Sequence, residues 1–531
     1  MKLSPWTCLL AFLLLSAVRA PAEKLIAATD RIVFIGDSIT GQGGRGDQGW
    51  MALIGKALQA ADPKNRQELI PLGGSGQTVG SWAHVEEKSR QETVVLDIKE
   101  FDVRAELDQK ADIVIIMLGM NDVLSTHLTD SPEGIANWQK TYRPLLRHVR
   151  ARTQPRILAL ASPTPCTEDP RSPKNRVMDR MVAALQELCA EENCRYLPTR
   201  ESAWEVLHAG RKRHPHFHIT TDQVHPNPAG HHAIAAGMLR GLQEEKAARP
   251  LLKKAVEIGL PNESAAPLSF SYRLQDASDL NEPTALTLEV FHGANPVSLQ
   301  LPAGWSAQKI TGGETSTSYQ LTGRLHRLRQ TIILQSGEAQ QEISIPAPWL
   351  VGVARAGRDG WSGTQFDKEA GKLPTDALFS RRDSLPDDFF SLEIKPGVPL
   401  TWRRFLGDPN YGGNGAPGVI DFAQVSYFQG GDLGYALRWI QSEKKRRVKV
   451  KIHRPGFASM SHAQIWLNGT ELFAGDPAKA KEQEIEAKLE KGWNLLCYKG
   501  NFLQWQWQIG LDLEALGDDQ LDALRYATSP Q

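Results

Sequence analysis

This sequence has no surplus of either charge. Lys and Arg together number 61, and so do Asp and Glu. A chain without a bulk positive field has nothing to hold a polyanion, so nucleic acid is not expected as a main partner. Cysteine is scarce: five in 531 residues, with no C-x-x-C and no zinc-finger spacing. That excludes a disulfide-packed mini-protein and a zinc-finger module. Beyond the first residues there is no apolar run of roughly 18, so no bilayer-spanning helix is expected. No repeat of fixed period is present. With 41% hydrophobic and 23% charged residues, the composition is that of a globular chain rather than a disordered or collagenous one. At about 150 residues per domain, the length allows three to four domains.

What is present begins with an address. Lys2 precedes an 11-residue apolar stretch, Cys8 to Val18, and Ala20-Pro21-Ala22 forms a small-x-small cleavage site. This predicts a signal peptide over residues 1–22 and export to the periplasm or beyond the cell. Cys8 leaves with it. Cys189 and Cys194 can form a short disulfide in an oxidising compartment or stay as two thiols, and both readings remain open. Cys166 and Cys497 fall in different units.

From Arg31 to about Ala247 strands and helices alternate. Arg31–Asp37 (RIVFIGD), Glu68–Leu72, Asp112–Leu118 (DIVIIML), Arg156–Ala161 and Arg195–Leu197 read as short buried strands. Helical patterns cover Met51–Ala61, Trp138–Arg152, Lys174–Glu191 and about His231–Glu245. The interleaving predicts an α/β unit over residues 23–250, with a parallel sheet covered on both faces. Residues 251–347 are expected to form a small β-sandwich. Their core segment, Ser269–Ile345, alternates as in Ala285–Val290 and carries turn signals such as Gly312-Gly313. Residues 348–531 read as a β-sandwich of jelly-roll type. Arg447–Ile452, Ala463–Leu467 and Asn494–Tyr498 alternate, Asn468-Gly469 signals a hairpin, and a short helix is expected near Leu513.

Four segments of the first unit carry chemistry together. Gly36-Asp37-Ser38-Ile39 ends the first strand, and ligands of open parallel sheets bind at the carboxyl ends of the strands. Gly73-Gly74-Ser75-Gly76 follows the second strand, where glycines let backbone amides approach a ligand closely. Gly119-Met120-Asn121-Asp122 follows the third, and an Asn carboxamide there can donate into the same crevice. Asp222-Gln223-Val224-His225 precedes the last helix, so that a carboxylate three residues away can orient an imidazole. Nucleophile, base, orienter and oxyanion donors are the set that acyl transfer needs.

From about Asp30 to Glu245 the chain resembles the SGNH (GDSL-type) hydrolases, whose four blocks occur here in order. The resemblance implies a three-layer α/β/α fold and hydrolysis of esters or thioesters without a cofactor. Matched by position, it implies Ser38, Asp222 and His225 as the catalytic residues. It implies the amides of Ser38 and Gly76 and the side chain of Asn121 as the oxyanion hole. His225-Pro226-Asn227 continues the family's H-P-N. Two positions depart from the pattern: Pro71 stands where the family often has Asn, and Gln77 where it often has Asp. Backbone donors need neither side chain, and Gly73 or Gly74 stays open as the donor in place of Gly76. Asp37 and Asp122 are expected to support their turns rather than the chemistry.

Gly41 to Gly46 fits G-x-G-x-x-G, but GDSIT separates it from the strand and no acidic residue follows the second strand. No nucleotide cofactor is expected. His214, His216 and His218 alternate near Asp222 and His225 and are the main rival, as a zinc site that chelation would expose. Solvated histidines are the preferred reading, with no metal. Arg45-Gly46-Asp47 reads as a chance match, and Lys444–Lys451 as a solvated strand face. Asn262 and Asn468 head glycosylation sequons, and Trp505 and Trp507 are assigned to core packing. Residues from Trp349 to Leu513 resemble galactose-binding-like β-sandwich modules, through Trp466-Leu467-Asn468-Gly469 and Lys491-Gly492-Trp493-Asn494. Export, esterase and sandwiches together suggest an acylated carbohydrate, or another ester, as the substrate. A lipid or thioester hydrolase, and a carbohydrate-binding protein with an idle hydrolase fold, are the alternatives.

Overall fold

The computed structural model describes residues 24–530 apart from 126, 215, 261–267, 277, 281–282, 293–294, 314, 355–381, 386–388, 392, 396, 408–418, 429–431, 454–459, 476–481, 503–506 and 518–520. The expected signal peptide, the Asn262 sequon and Trp505 lie outside the described residues.

The first unit is a parallel five-stranded sheet with helices on both faces. Its strands are β1 (Arg31–Gly36), β2 (Glu68–Gly73), β3 (Ile113–Met117), β4 (Ile157–Ala161) and β5 (Arg195–Leu197), in the order β2-β1-β3-β4-β5. Ile32 to Ile35 and Ile113 to Met117 are buried on both faces, which is why these strands run as unbroken apolar stretches. The strand order reverses at β1. Gly36 pairs with both Gly73 and Met117, so the three strands end level and open a crevice beyond their carboxyl ends.

Ten helices of this unit are described: α1 (Ser38–Gly43), α2 (Trp50–Ala61), α3 (Val79–Ser89), α4 (Val103–Leu107), α5 (Met120–Leu124), α6 (Pro132–Thr153), α7 (Pro173–Glu191), α8 (Thr199–Arg211), α9 (Pro228–Gly241) and α10 (Glu245–Gly259). Two fully buried indoles fix the end of β1. Trp82 donates to the Gly36 carbonyl at 2.7 Å, and Trp50 donates to the Ile39 carbonyl at 3.1 Å. The single helix expected over about His231–Glu245 is two helices, broken at Leu242–Glu244, where Gln243 has a φ of 61°. Leu251, Leu252 and Ala255 of α10 sit in the core of the α/β unit. The expected boundary at 250/251 therefore falls inside this helix.

The second unit has two antiparallel sheets around Leu286, Leu288, Val290, Ile332, Leu334, Ile343 and Ile345. Thr284–His292 alternates buried and half-buried along its length, as its sequence requires. The third unit pairs a seven-stranded sheet, centred on Leu433–Ser442 and Gly492–Phe502, with a four-stranded sheet that includes Arg446–His453 and Gln508–Ala515. The short helix expected near Leu513 is a strand instead. Ile509, Leu511 and Leu513 all point into the core, which is the two-residue period of a sheet face. Asn468 and Gly469 have φ of 53° and 82° and make the hairpin turn. On the Arg446–His453 strand Val448 and Val450 are buried, while Arg447 and Lys449 pair with Glu486 and Glu484. Trp507 is fully buried and donates to the Tyr498 hydroxyl at 3.0 Å.

Candidate active site

All four sequence blocks meet at the crevice. Asp37 caps α1, its Oδ1 accepting the Ile39 amide at 2.9 Å, and this turn presents Ser38. Burial pushes the Asp37 carboxyl up to about 7. The Ser38 hydroxyl lies 2.9 Å from Nε2 of His225. Nδ1 of His225 lies 2.7 Å from Oδ2 of Asp222. A carboxylate can only accept, so Nδ1 carries the proton and Nε2 is free to accept from the serine.

The loop that brings Asp222 and His225 together is stiff. Asp222 Oδ1 accepts the amides of His225 at 2.7 Å and Val224 at 3.0 Å. Thr221 donates to the His225 carbonyl at 2.9 Å, and Gln223, at a φ of 74°, has its carbonyl held by the Thr167 amide. Asn227 caps α9 and donates to the His218 carbonyl at 2.8 Å. Partial burial works to raise the Asp222 carboxyl, but hydrogen bonds from His225 outweigh it and hold the group down at about 2. The Asp222 hydrogen bond raises the His225 imidazole above its ordinary value of 6.5, against partial burial.

Across the crevice, Gly76 has a φ of 73° and no atom within 4 Å of where a Cβ would stand. The Gly74 amide donates to the Gly36 carbonyl at 3.2 Å, so of the alternative donors this one is already engaged. Gly119, at a φ of 124°, passes so close to Met181 that a Cβ would come within 2.6 Å of its methyl carbon. Glycine is required there, and the turn it makes aims Asn121 inward. Asn121 Nδ2 donates to the Gln77 carbonyl at 3.1 Å, and Asp122 accepts the Val79 amide at 3.2 Å. The second and third blocks are thus tied together. Burial pushes the Asp122 carboxyl up to about 7.

Sequence reasoning missed Glu168. This buried carboxylate accepts from the amides of Ile219 and Thr220, the Thr220 hydroxyl and Arg211, and it lies 2.7 Å from Nδ1 of His218. It anchors the loop that carries Asp222 and His225. An acidic residue in a polar loop gives no signal of this in sequence. Glu168→Ala is expected to lower the melting temperature and to reduce kcat by about tenfold or more, since a small displacement of catalytic groups can cost up to about 10²-fold. Thermal denaturation and steady-state kinetics on one preparation check both. Among the described residues no three His, Cys, Asp or Glu side chains are grouped to hold a metal, and His218 is engaged by Glu168. Cys189 and Cys194 are free thiols.

Serine, imidazole and carboxylate thus stand in series beside the crevice at the carboxyl ends of a parallel sheet. Residues 34–233 match the model of the GDSL-like Lipase/Acylhydrolase family, and with the relative described next this match makes the protein a carboxylic ester hydrolase. An acetylxylan esterase of Geobacillus stearothermophilus is 28% identical over 227 residues, which is 40% of this chain and 94% of that protein. The crystal structure of a catalytic mutant of Axe2, an acetylxylan esterase from the same organism, is 26% identical. It covers 42% of this chain and 97% of its own, with a TM-score of 0.32. LAE5, an alpha/beta hydrolase enzyme from the metagenome of Lake Arreo, Spain, is 24% identical over 42% of this chain and 99% of its own, with a TM-score of 0.33.

Proposed function

We propose that this chain is an exported serine esterase that removes acyl groups, acetyl foremost, from a carbohydrate polymer. The observation that carries the reading is the unbroken series Ser38–His225–Asp222, at 2.9 and 2.7 Å. In this reading His225 takes the Ser38 proton as Oγ attacks the ester carbonyl, and Asp222 stabilises the imidazolium. The amides of Ser38 and Gly76 and the carboxamide of Asn121 bind the oxyanion. His225 returns its proton to the leaving alcohol, and water then releases the acid by the same steps. The carbohydrate assignment draws on the similarity to an acetylxylan esterase, and export on the leader-like residues 1–22.

Acetate release from a panel of acetylated polysaccharides, run beside soluble acyl esters of increasing chain length, tests it. Release from at least one polymer, with acetyl preferred over longer chains, is the expected result. A preference for long acyl chains with no polymer attacked would move the assignment to lipid or thioester substrates. No turnover of any ester would leave an idle fold.

A further inference from the structure

Tyr427 belongs to the third unit, yet its side chain is buried in the core of the first. Its hydroxyl is 3.3 Å from the Val123 carbonyl and 2.8 Å from the Leu128 carbonyl. Val123 lies on α5, two residues beyond Asn121, and the Leu128 amide donates back to the Asp122 carbonyl at 2.9 Å. The single hydroxyl proton is shared between the Val123 and Leu128 carbonyls, chiefly with Leu128, and so draws the Leu128 carbonyl toward the end of α5. Both carbonyls belong to buried residues; that of Val123 also accepts the Ser125 amide, so Tyr427 adds a second tie at the end of α5.

The arm that delivers Tyr427 is itself rigid. Asp421 caps a short 3-10 turn, accepting the Ala423 amide at 3.0 Å, and it holds Gln508 at 2.8 Å. Phe422 stacks on Trp507 with centroids 4.6 Å apart, and Phe428 meets the same indole edge-on at 4.8 Å. Tyr427 thus projects from a segment clamped on either side in the third unit's core. The Lys174 charge at the start of α7 also acts on Asp421, whose carboxyl burial raises.

We infer that Tyr427 is a positioning residue for Asn121: the appended β-sandwich completes the hydrolase unit by fixing the helix that carries an oxyanion donor. The inference rests on the oxyanion role proposed above for Asn121. A donor in an oxyanion hole acts only when charge develops on the carbonyl oxygen, so a misaligned donor lowers kcat and leaves KM nearly unchanged.

The test uses the full chain and a soluble acetyl ester. Tyr427→Phe keeps the ring and removes the hydroxyl. It is expected to lower kcat by about 3- to 10-fold at nearly constant KM, a fraction of the roughly 10²–10³ typical for deleting a donor outright. In an Asn121→Ala background the same substitution is expected to add little, because the two act through one group. General loosening of the fold would instead add its loss in both backgrounds. Unchanged kcat in Tyr427→Phe, or an equal loss with and without Asn121, overturns the inference. Full activity in Asn121→Ala itself overturns the underlying role of Asn121, a result distinct from either.

Discussion

Ser38→Ala is expected to abolish ester hydrolysis to within about 10⁻⁴ of the wild-type kcat or less, the scale on which nucleophile removal acts in serine hydrolases. The size follows from the geometry. The Ser38 hydroxyl lies 2.9 Å from His225 Nε2, and in the proposed mechanism losing Oγ removes the covalent step while leaving the rest of the crevice in place. Substrate binding should therefore survive, and the melting temperature should change little, because Ser38 is only partly buried and its partner His225 stays held by Asp222. Acetate release measured beside a binding assay on the same acetylated polymer separates the two effects. A variant keeping more than about a hundredth of wild-type activity would rule out the serine mechanism, since residual catalysis from donors and binding lies well below that.

The second large effect is expected from Asp222→Asn, with a loss of about 10³–10⁴ in kcat. The amide can offer N–H rather than oxygen to Nδ1, which favours the tautomer with its proton on Nε2, and that nitrogen then cannot accept from Ser38. The pH profile carries the same information. In the proposed mechanism only neutral His225 acts as base, so kcat/KM is expected to rise with pH through the His225 pKa. That value stands above the ordinary 6.5 because of the Asp222 hydrogen bond. Asp222, at about 2, stays charged across the working range and adds no inflection of its own. In Asp222→Asn the raising interaction is gone, so the acid limb of the residual activity should move to lower pH. An unmoved limb, or a loss below about tenfold, would remove Asp222 from the catalytic series.

How far the sequence alone reached depended on the range of the interaction. β1 and β3 were legible because their apolar residues run without interruption, as a sheet covered on both faces requires. The Asp222–His225 pair was legible because its geometry is local, three residues on one loop. Glu168 was not, because its partners Ile219 and Thr220 lie about fifty positions away and its type in a loop is unremarkable. Tyr427 was further out of reach, 304 positions from one of its partners. The strand at Gln508–Ala515 was misread as a helix although its apolar residues recur every second position: Ile509, Leu511 and Leu513 fall on one sheet face. The reach of α10 past residue 250 was hidden by the composition change that begins near Ala247.

Removing an appended domain is the ordinary way to ask what it contributes. In this protein the cut is not a neutral operation. A fragment ended at residue 250 loses Leu251, Leu252 and Ala255 from a core it needs, so its behaviour would report an unfinished fold. A fragment ended at 259 regains that helix but leaves the carbonyls of Val123 and Leu128 without Tyr427. Lost activity after either truncation would look like a lost carbohydrate-binding module while arising from a damaged catalytic unit. Questions about glycan binding by the sandwiches are better put to point substitutions on their exposed faces, with the seam left intact.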